Sequence, residues 1–462
     1  MIEARVKIIS PVDGSVYAER PMIADEALKA AVSRARAAQA EWRQVALAER
    51  VKQALAFLDA LLAMNDEIVP ELAWQMGRPV RYGGEKGGLE ERVRYMASIA
   101  PEALEPLKPK RKAGFRRSVK REPLGLVLVI APWNFPYMTA CNSVFPALMA
   151  GNAVILKHAA QTLLVGERFQ AAADKAGLPR GLFQNLVLSH AQTEKLIGSG
   201  AIDHTSFTGS VSGGRAIERA AAGTFASLGL ELGGKDPAYV RADAKLDHAV
   251  ENLVDGAFYN SGQSCCGIER IYVEESVYAP FVEGFADLTR KYVVGNPLEE
   301  ETTIGPMARG KFADHVREQI AEAARKGAKK HIEARHEADR GGSPYLTPQV
   351  LTDVDHQMAV MREESFGPVV GIMKVRDDEE AIQLMNDSPY GLTASVWTTD
   401  LDRAAEIGDR VETGTFFANR CDYLDPALTW TGVKDTGRGA ALSHLGFHAL
   451  TQPKSFHLRA VK

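Results

Sequence analysis

Leu126-Val127-Leu128-Val129-Ile130-Ala131-Pro132-Trp133-Asn134-Phe135-Pro136 begins as an unbroken apolar run and ends in a proline-flanked turn. A strand with no polar alternation is one buried on both faces, as in a parallel sheet sandwiched between helices. The residues on either side repeat that logic. A helical pattern ends at Gly151-Asn152, and a second apolar run, Ala153 to Leu156, follows at once. A helix closing near Gly177-Leu178-Pro179 comes next, then strand patterns at Phe183–Leu188, His204–Thr208 and Ser227–Leu232, with a helix over Ser212–Ala222. Strands and helices in strict alternation predict a doubly wound α/β sheet. Upstream, Asp25 to Met76 carries apolar residues at three- and four-residue intervals and reads as a helical lead-in. Downstream, a second alternating region runs from Asp236 to the mid-430s, with Ile271-Tyr272-Val273 early and Ala394-Ser395-Val396-Trp397 late.

A chain of 462 residues exceeds one ordinary core, so two or three domains are expected. Its 45% apolar and 25% charged residues are ordinary for a folded protein, and a net charge of -4 without a basic stripe argues against nucleic acid as a partner. No apolar run approaches the ~20 residues of a membrane-spanning helix. The opening Met1-Ile2-Glu3-Ala4-Arg5 has an acid where a secretory leader would be apolar, so a cytoplasmic location is expected. Four cysteines, Cys141, Cys265, Cys266 and Cys421, are too few for a disulfide scaffold and match no zinc spacing. His444 and His448 share a helical spacing but have no third ligand, so no metal is expected.

Two segments carry nucleophile chemistry. Asn260-Ser261-Gly262-Gln263-Ser264-Cys265-Cys266 offers a thiol, and Leu230-Glu231-Leu232-Gly233-Gly234-Lys235 a carboxylate at the end of a strand. A thiol with a general base, plus the Asn134 amide as an oxyanion donor, is a set suited to acyl chemistry on sulfur. Thr208-Gly209-Ser210, with Gly213-Gly214 after it, lies where a strand hands over to a helix. Free N–H groups at a helix start attract phosphate, and glycine permits close approach. Taken singly, each motif also fits a plain βα turn, a buried cysteine or a surface glutamate.

Together and in this order, however, they resemble the NAD(P)-dependent aldehyde dehydrogenases. Trp133-Asn134-Phe135-Pro136, Phe207-Thr208-Gly209-Ser210, Glu231-Leu232-Gly233-Gly234-Lys235, Gly262-Gln263-Ser264-Cys265 and Glu363-Glu364-Ser365-Phe366-Gly367-Pro368 carry the likeness. Asn386-Asp387-Ser388-Pro389-Tyr390-Gly391-Leu392 and Gly432-Val433-Lys434-Asp435-Thr436-Gly437 extend it almost to the C-terminus. The resemblance implies Cys265 as nucleophile, Glu231 as general base and Asn134 as oxyanion donor. It implies NAD or NADP held by Trp133, Lys157, Gly209, Ser210, Gly214, Glu364 and Phe366. Phe135, Thr139, Asn142, Ser264, Cys266 and Trp430 are the implied walls of a pocket for a small aldehyde. Family spacing selects Cys265 over its neighbour.

Several positions depart from the family pattern. The usual Lys-Pro-x-Glu is Lys157-His158-Ala159-Ala160, so the carboxylate that grips a ribose diol is missing and dual use of NAD and NADP is expected. Thr139, Asn142 and Ser143 stand where many relatives have apolar, aromatic and Lys residues, which predicts a more polar tunnel. A glutamate able to support a proton relay falls on Ala441, so the base needs another route to solvent. Arg420, Asp422 and Tyr423 belong to the loop closing the substrate mouth. For Arg420 and Asp422 a loop salt bridge is expected, with recognition of a substrate carboxylate or amine as the alternative.

The implied architecture is two doubly wound Rossmann-type domains plus a β-ribbon oligomerisation element. Residues 1–100 and 124–233 are expected to bind the dinucleotide, 234–435 to form the catalytic domain, and 101–123 with 436–462 to form the element that makes a homodimer or homotetramer. The basic stretch from Lys108 to Arg121 fits that ribbon better than an anion site. Two rival functions are a CoA-acylating semialdehyde dehydrogenase and a non-catalytic binding protein on the same fold.

Overall fold

The computed structural model describes residues 5–334 and 339–461; the reading made on Met1 to Ala4 lies outside them. Two sheets dominate. The first has six strands in the order Gly437–Arg438, Ser227–Glu231, His204–Thr208, Leu126–Ala131, Ala153–His158 and Phe183–Asn185. All neighbours are parallel except the first pair. Every residue of Leu126–Ala131 and Ala153–His158 is buried, as their unbroken apolar character requires. Strand order reverses on either side of Leu126–Ala131, so a crevice opens at the carboxyl ends of Leu126–Ala131 and His204–Thr208. The expected Phe183–Leu188 strand stops at Asn185 because it is the sheet edge and Ser189 already caps the next helix, accepting from Gln192 N at 3.1 Å.

The helical lead-in resolves into Asp25–Trp42, Leu47–Leu62 and Asn65–Met76, packed into one core with the first sheet. Phe57, fully buried, meets Phe145 tilted and Phe169 and Phe183 edge-on, at centroid distances of 4.9, 6.1 and 5.3 Å. This cluster bolts the lead-in to the Pro136–Ala150 helix.

The second sheet has seven strands in the order Lys329–Lys330, Gln349–Thr352, Val369–Val375, Ile268–Glu274, Asp236–Val240, Thr393–Trp397 and Thr415–Ala418. It too is parallel apart from Lys329–Lys330 at the edge. Only Leu232 to Lys235 separate the last residue of Ser227–Glu231 from the first of Asp236–Val240, so the chain passes almost directly from one sheet to the other.

A separate antiparallel ribbon pairs Phe115–Pro123 with Thr451–Arg459 over nine residue pairs. The C-terminal segment divides here. Gly437–Arg438 pairs with Ser227–Glu231, and the helix Ser443–Ala449 packs on Lys86–Ala103 and Pro136–Ala150; Thr451–Arg459 alone continues into the ribbon.

Candidate active site

The segment after Leu126–Ala131 turns through Pro132–Phe135 into the helix Pro136–Ala150, with Pro136 in its first turn, where no N–H is needed. That helix start is capped from a distance. Glu85 Oε2 accepts the N–H groups of Tyr137 and Met138 at 3.0 and 2.7 Å, while Glu85 Oε1 pairs with Arg78. Arg78 also donates to Asn260 Oδ1 at 3.2 Å and to the Asn134 carbonyl. Asn134 Nδ2 donates to the Gln263 carbonyl at 3.1 Å, which fixes the amide and leaves its second N–H for the cavity it lines. Arg78 and Glu85 carry no family motif in the reading above, and only their shared burial shows their importance.

Around the thiol the backbone is unusual. Asn260, Ser261 and Gly262 are all left-handed, with φ of 53°, 57° and 68°. A side chain at Gly262 would meet the Gly367 carbonyl carbon at 2.4 Å, so this position tolerates only glycine. Gln263 closes the turn, its Oε1 accepting Ala308 N at 2.8 Å and its Nε2 donating to the Asn260 carbonyl at 3.1 Å. Strained backbone held by buried hydrogen bonds is a mark of a functional turn.

Cys265 lies at the junction of two cavities. One is lined by Trp133, Asn134, Gly209, Ser210, Glu231, Gly233, Glu364 and Phe366. The other, a tunnel, is lined by Phe135, Thr139, Asn142, Ser264, Cys266 and Trp430. Cys265 and Glu231 line both. A third arm continues past Gly209 and Ser210 to Lys157. The predicted residues therefore converge, with one exception. Gly214 lines none of these cavities; a Cβ there would sit 2.6 Å from Leu232, so its role is close packing of the Val211–Ala221 helix on the chain.

Burial pushes the Glu231 carboxyl up to about 7, opposed by the Thr208 hydroxyl, which donates to Oε2 at 3.3 Å, and by the Arg92 charge. Such a group is half-ionised near neutrality and suited to exchange a proton there. Glu364 is likewise raised to about 7 by burial, then by repulsion from Glu269; its Oε1 accepts Gly234 N at 3.0 Å. Glu269 went unnoticed in the sequence. It pairs with buried Lys235 and accepts the N–H groups of Ser365 and Phe366 at 2.8 and 2.9 Å, which anchors the loop that presents Glu364 and Phe366. Trp133 stacks on Phe312 with centroids 5.5 Å apart and meets Phe366 edge-on at the same distance.

Cys266 is buried, and its Sγ lies 2.8 Å from Asp422 Oδ1; the Cys265 side chain, burial and Asp422 raise its pKa well above the usual thiol range. Asp422 also accepts from Ser264 Oγ at 3.1 Å. The loop salt bridge expected for Arg420 and for Asp422 is thus corrected, since neither has one among the described residues: Asp422 turns inward to a hydroxyl and a thiol, and the Arg420 guanidinium stacks 3.5 Å over the Tyr423 ring. The tunnel's cation is instead Arg92, buried, bonded to Asn142 Oδ1 and the Met138 carbonyl at 3.3 Å, with no carboxylate partner among the described residues. Arg92 gives no sequence signal, since one arginine in the charge-rich helix Lys86–Ala103 reads as solvent-facing until packing encloses it.

The dinucleotide arm bears on cofactor choice. The Val211–Ala221 helix begins with Ser210 as its cap, accepting Gly213 N at 3.2 Å. Lys157 has no ion pair among the described residues, and Ala160 stands beside it in the arm where a carboxylate was expected to be missing. At the rim Glu194 is exposed. The helix N-terminus and a lysine without an ion pair fit a pyrophosphate-bearing group.

A family model described as the aldehyde dehydrogenase family matches residues 2–456. Among curated proteins the chain is 32% identical over 441 residues to succinate semialdehyde dehydrogenase [NAD(P)+] Sad of Escherichia coli (strain K12), covering 95% of each chain. It is 34% identical over 460 residues to an aldehyde dehydrogenase of Paenarthrobacter nicotinovorans, covering 97% of this chain and 99% of that one. Among solved structures, the NAD-dependent aldehyde dehydrogenase from Sinorhizobium meliloti superposes with a TM-score of 0.94 at 32% identity over 99% of this chain and 92% of that one. By sequence, by fold and by the convergence of its motifs on one cleft, the chain belongs to the aldehyde dehydrogenase family.

Proposed function

We propose that the protein oxidises a small aldehyde to its carboxylic acid, with NAD or NADP as co-substrate, through a thioester on Cys265. The observation that carries this reading is that Cys265 and Glu231 line both the tunnel and the cavity that holds Trp133, Glu364 and Phe366. The Cys265 thiolate adds to the aldehyde carbon. The oxygen that becomes negative is received by the free Asn134 N–H and the Cys265 backbone N–H, and each such donor is worth ~3 kcal/mol at comparable sites. A dinucleotide held in the arm by Trp133, Lys157, Gly209 and Ser210, and in the adjoining cavity by Glu364 and Phe366, would supply the hydride acceptor. Glu231 then takes a proton from the water that attacks the thioester, which releases the acid and the thiolate.

In this reading residues 1–100 and 124–233 bind the dinucleotide, 234–435 form the catalytic unit, and the ribbon of Phe115–Pro123 and Thr451–Arg459 meets another subunit in a dimer or tetramer. A two-stranded ribbon braced along its edge only by the Leu107–Val119 bridge is of marginal stability alone, which supports a partner for it. Among the described residues no helix is long and apolar enough to cross a membrane. Arg92, with no carboxylate partner of its own, favours an aldehyde whose far end accepts hydrogen bonds, a carboxylate among them.

The test is a panel of aliphatic, aromatic, carboxylated and amino aldehydes assayed with both cofactors, with free acid and acyl-CoA measured as products. Free acid with growth of reduced-nicotinamide absorbance is the expected result. Acyl-CoA as the product would favour the CoA-acylating alternative. Stoichiometric thiol labelling without any aldehyde-dependent reduction would leave a binding protein.

A further inference from the structure

A further cavity opens on the far side of Glu231, away from the dinucleotide. Its wall includes Ser143, His204, Ser206, Thr208, Ala441 and Glu231 itself. Three of these form a row. His204, Ser206 and Thr208 are alternate residues of one strand and so share a face of the sheet. The row is bonded at both ends. Thr208 Oγ1 donates to Glu231 Oε2 at 3.3 Å; His204 Nε2 lies 3.1 Å from Ser206 Oγ, and its Nδ1 2.7 Å from Ser227 Oγ. Ser227 is exposed, whereas His204 is 3% exposed, so the imidazole spans from the interior to the surface.

Two further observations show that the cavity is polar and open beside the row. Asn142, 4% exposed, lines it, and its Nδ2 has no hydrogen-bond partner, which calls for a water or other acceptor at that point. At Gly229 a Cβ would stand no nearer than 3.6 Å to the His204 ring, so glycine keeps that side of the imidazole uncovered. Ala441 and Ser143, both small, leave room on the wall beside the row. Strand faces turned to a helix layer are normally apolar, and this one is not.

We propose that this row and the water beside it carry the hydrolytic proton from Glu231 to solvent, in place of a carboxylate relay; the inference rests on the thioester mechanism proposed above. Each turnover delivers one proton from the attacking water to Glu231, while its hydroxide becomes part of the acid. The proton leaves Glu231 for a cavity water beside Thr208 and passes to Ser206. It enters His204 at Nε2 as another leaves from Nδ1 through Ser227 to bulk water. The imidazole is then in its other tautomer, and the chain is reset by rotation of the ring and of the hydroxyls beside it, so the transferred proton is not handed back. Burial holds His204 neutral, with its pKa lowered to about 4, so it passes a proton on and does not store one. His204 and Ser206 touch no reacting atom and are positioning residues for proton transfer.

The experiment separates hydride release from acid release in single turnovers of the full-length protein. In Ser206→Ala and His204→Gln the burst of reduced nicotinamide keeps its amplitude and rate, and acid release slows by roughly 10-fold, less than the ~100-fold of a group acting directly. The solvent isotope effect on acid release rises, and added imidazole restores the rate. Glutamine at 204 can bond to both serines but cannot conduct a proton, so a merely structural role survives this change and a relay does not. Ser206→Thr, which keeps the hydroxyl, stays near the parent rate, and Ala441→Glu rescues Ser206→Ala. Acid release unchanged in both Ser206→Ala and His204→Gln overturns the relay. A parent protein that forms no reduced nicotinamide in a single turnover overturns the thioester reading, and the relay with it.

Discussion

Arg78 and Glu85 form an ion pair at 2.6 Å in which both side chains are 2% exposed, and each partner holds a different part of the site. Glu85 caps the helix that follows Asn134, and Arg78 holds the Asn134 carbonyl and Asn260. Removing one partner leaves the other charge buried and alone, at a cost of about 3–5 kcal/mol. Arg78→Ala should therefore lower the urea midpoint strongly, and the folded fraction that remains should lose activity through misplaced Asn134. Unfolding curves with parallel turnover measurements check both effects; an unchanged midpoint would remove the pair from the account.

Cys265→Ala should abolish aldehyde oxidation. Cys266→Ala should keep most of it, because Asp422 retains Ser264 as a donor and loses one neutral partner worth ~1 kcal/mol. Steady-state rates together with mass spectrometry of the trapped thioester decide between the two thiols, and an acyl group found on residue 266 would reverse the assignment.

Glu231 must be ionised to accept a proton, and its folded pKa is raised to about 7. The fraction able to act thus falls as pH drops, by about tenfold per unit below pH 7, and levels off above it. Acid release should follow this limb while the hydride burst does not. Glu231→Gln should flatten the limb and slow release by roughly 100-fold or more. A burst that vanishes in this variant would mean that Glu231 acts earlier, on the thiol.

With Ala160 beside Lys157, no carboxylate at that position repels a 2′-phosphate. The parent protein should use both NAD and NADP. Ala160→Glu should cut kcat/KM for NADP on the order of 100-fold, as juxtaposed like charges cost several kcal/mol, and leave NAD nearly unaffected. An NADP efficiency already a thousandfold below NAD in the parent would rule out dual use.

The sheets were legible because their central strands are apolar without alternation, and only a doubly covered parallel sheet buries such runs. Edge strands were less so: Phe183–Asn185 has one neighbour, and its end depends on where Ser189 caps the next helix. Gly209, Ser210, Glu231, Cys265 and Glu364 sit in segments whose glycines and turns announce themselves locally. Arg78, Glu85, Glu269 and Arg92 were not visible, since ordinary charged residues in helices or strands look solvated until tertiary packing encloses them. Asp422 misled for the same reason. A charge in a mouth loop suggests a surface pair, and only its left-handed backbone, φ 48°, turns it inward to Ser264 and Cys266.

The short passage from Glu231 through Leu232–Lys235 into the second sheet lies beside the return of the chain, where Leu232 N donates to the Thr436 carbonyl at 2.9 Å and Thr436 Oγ1 to the Gly233 carbonyl at the same distance. Glu231 therefore sits one residue from a crossing between the two sheets that is braced by hydrogen bonds in both directions, which fixes its backbone from both sides.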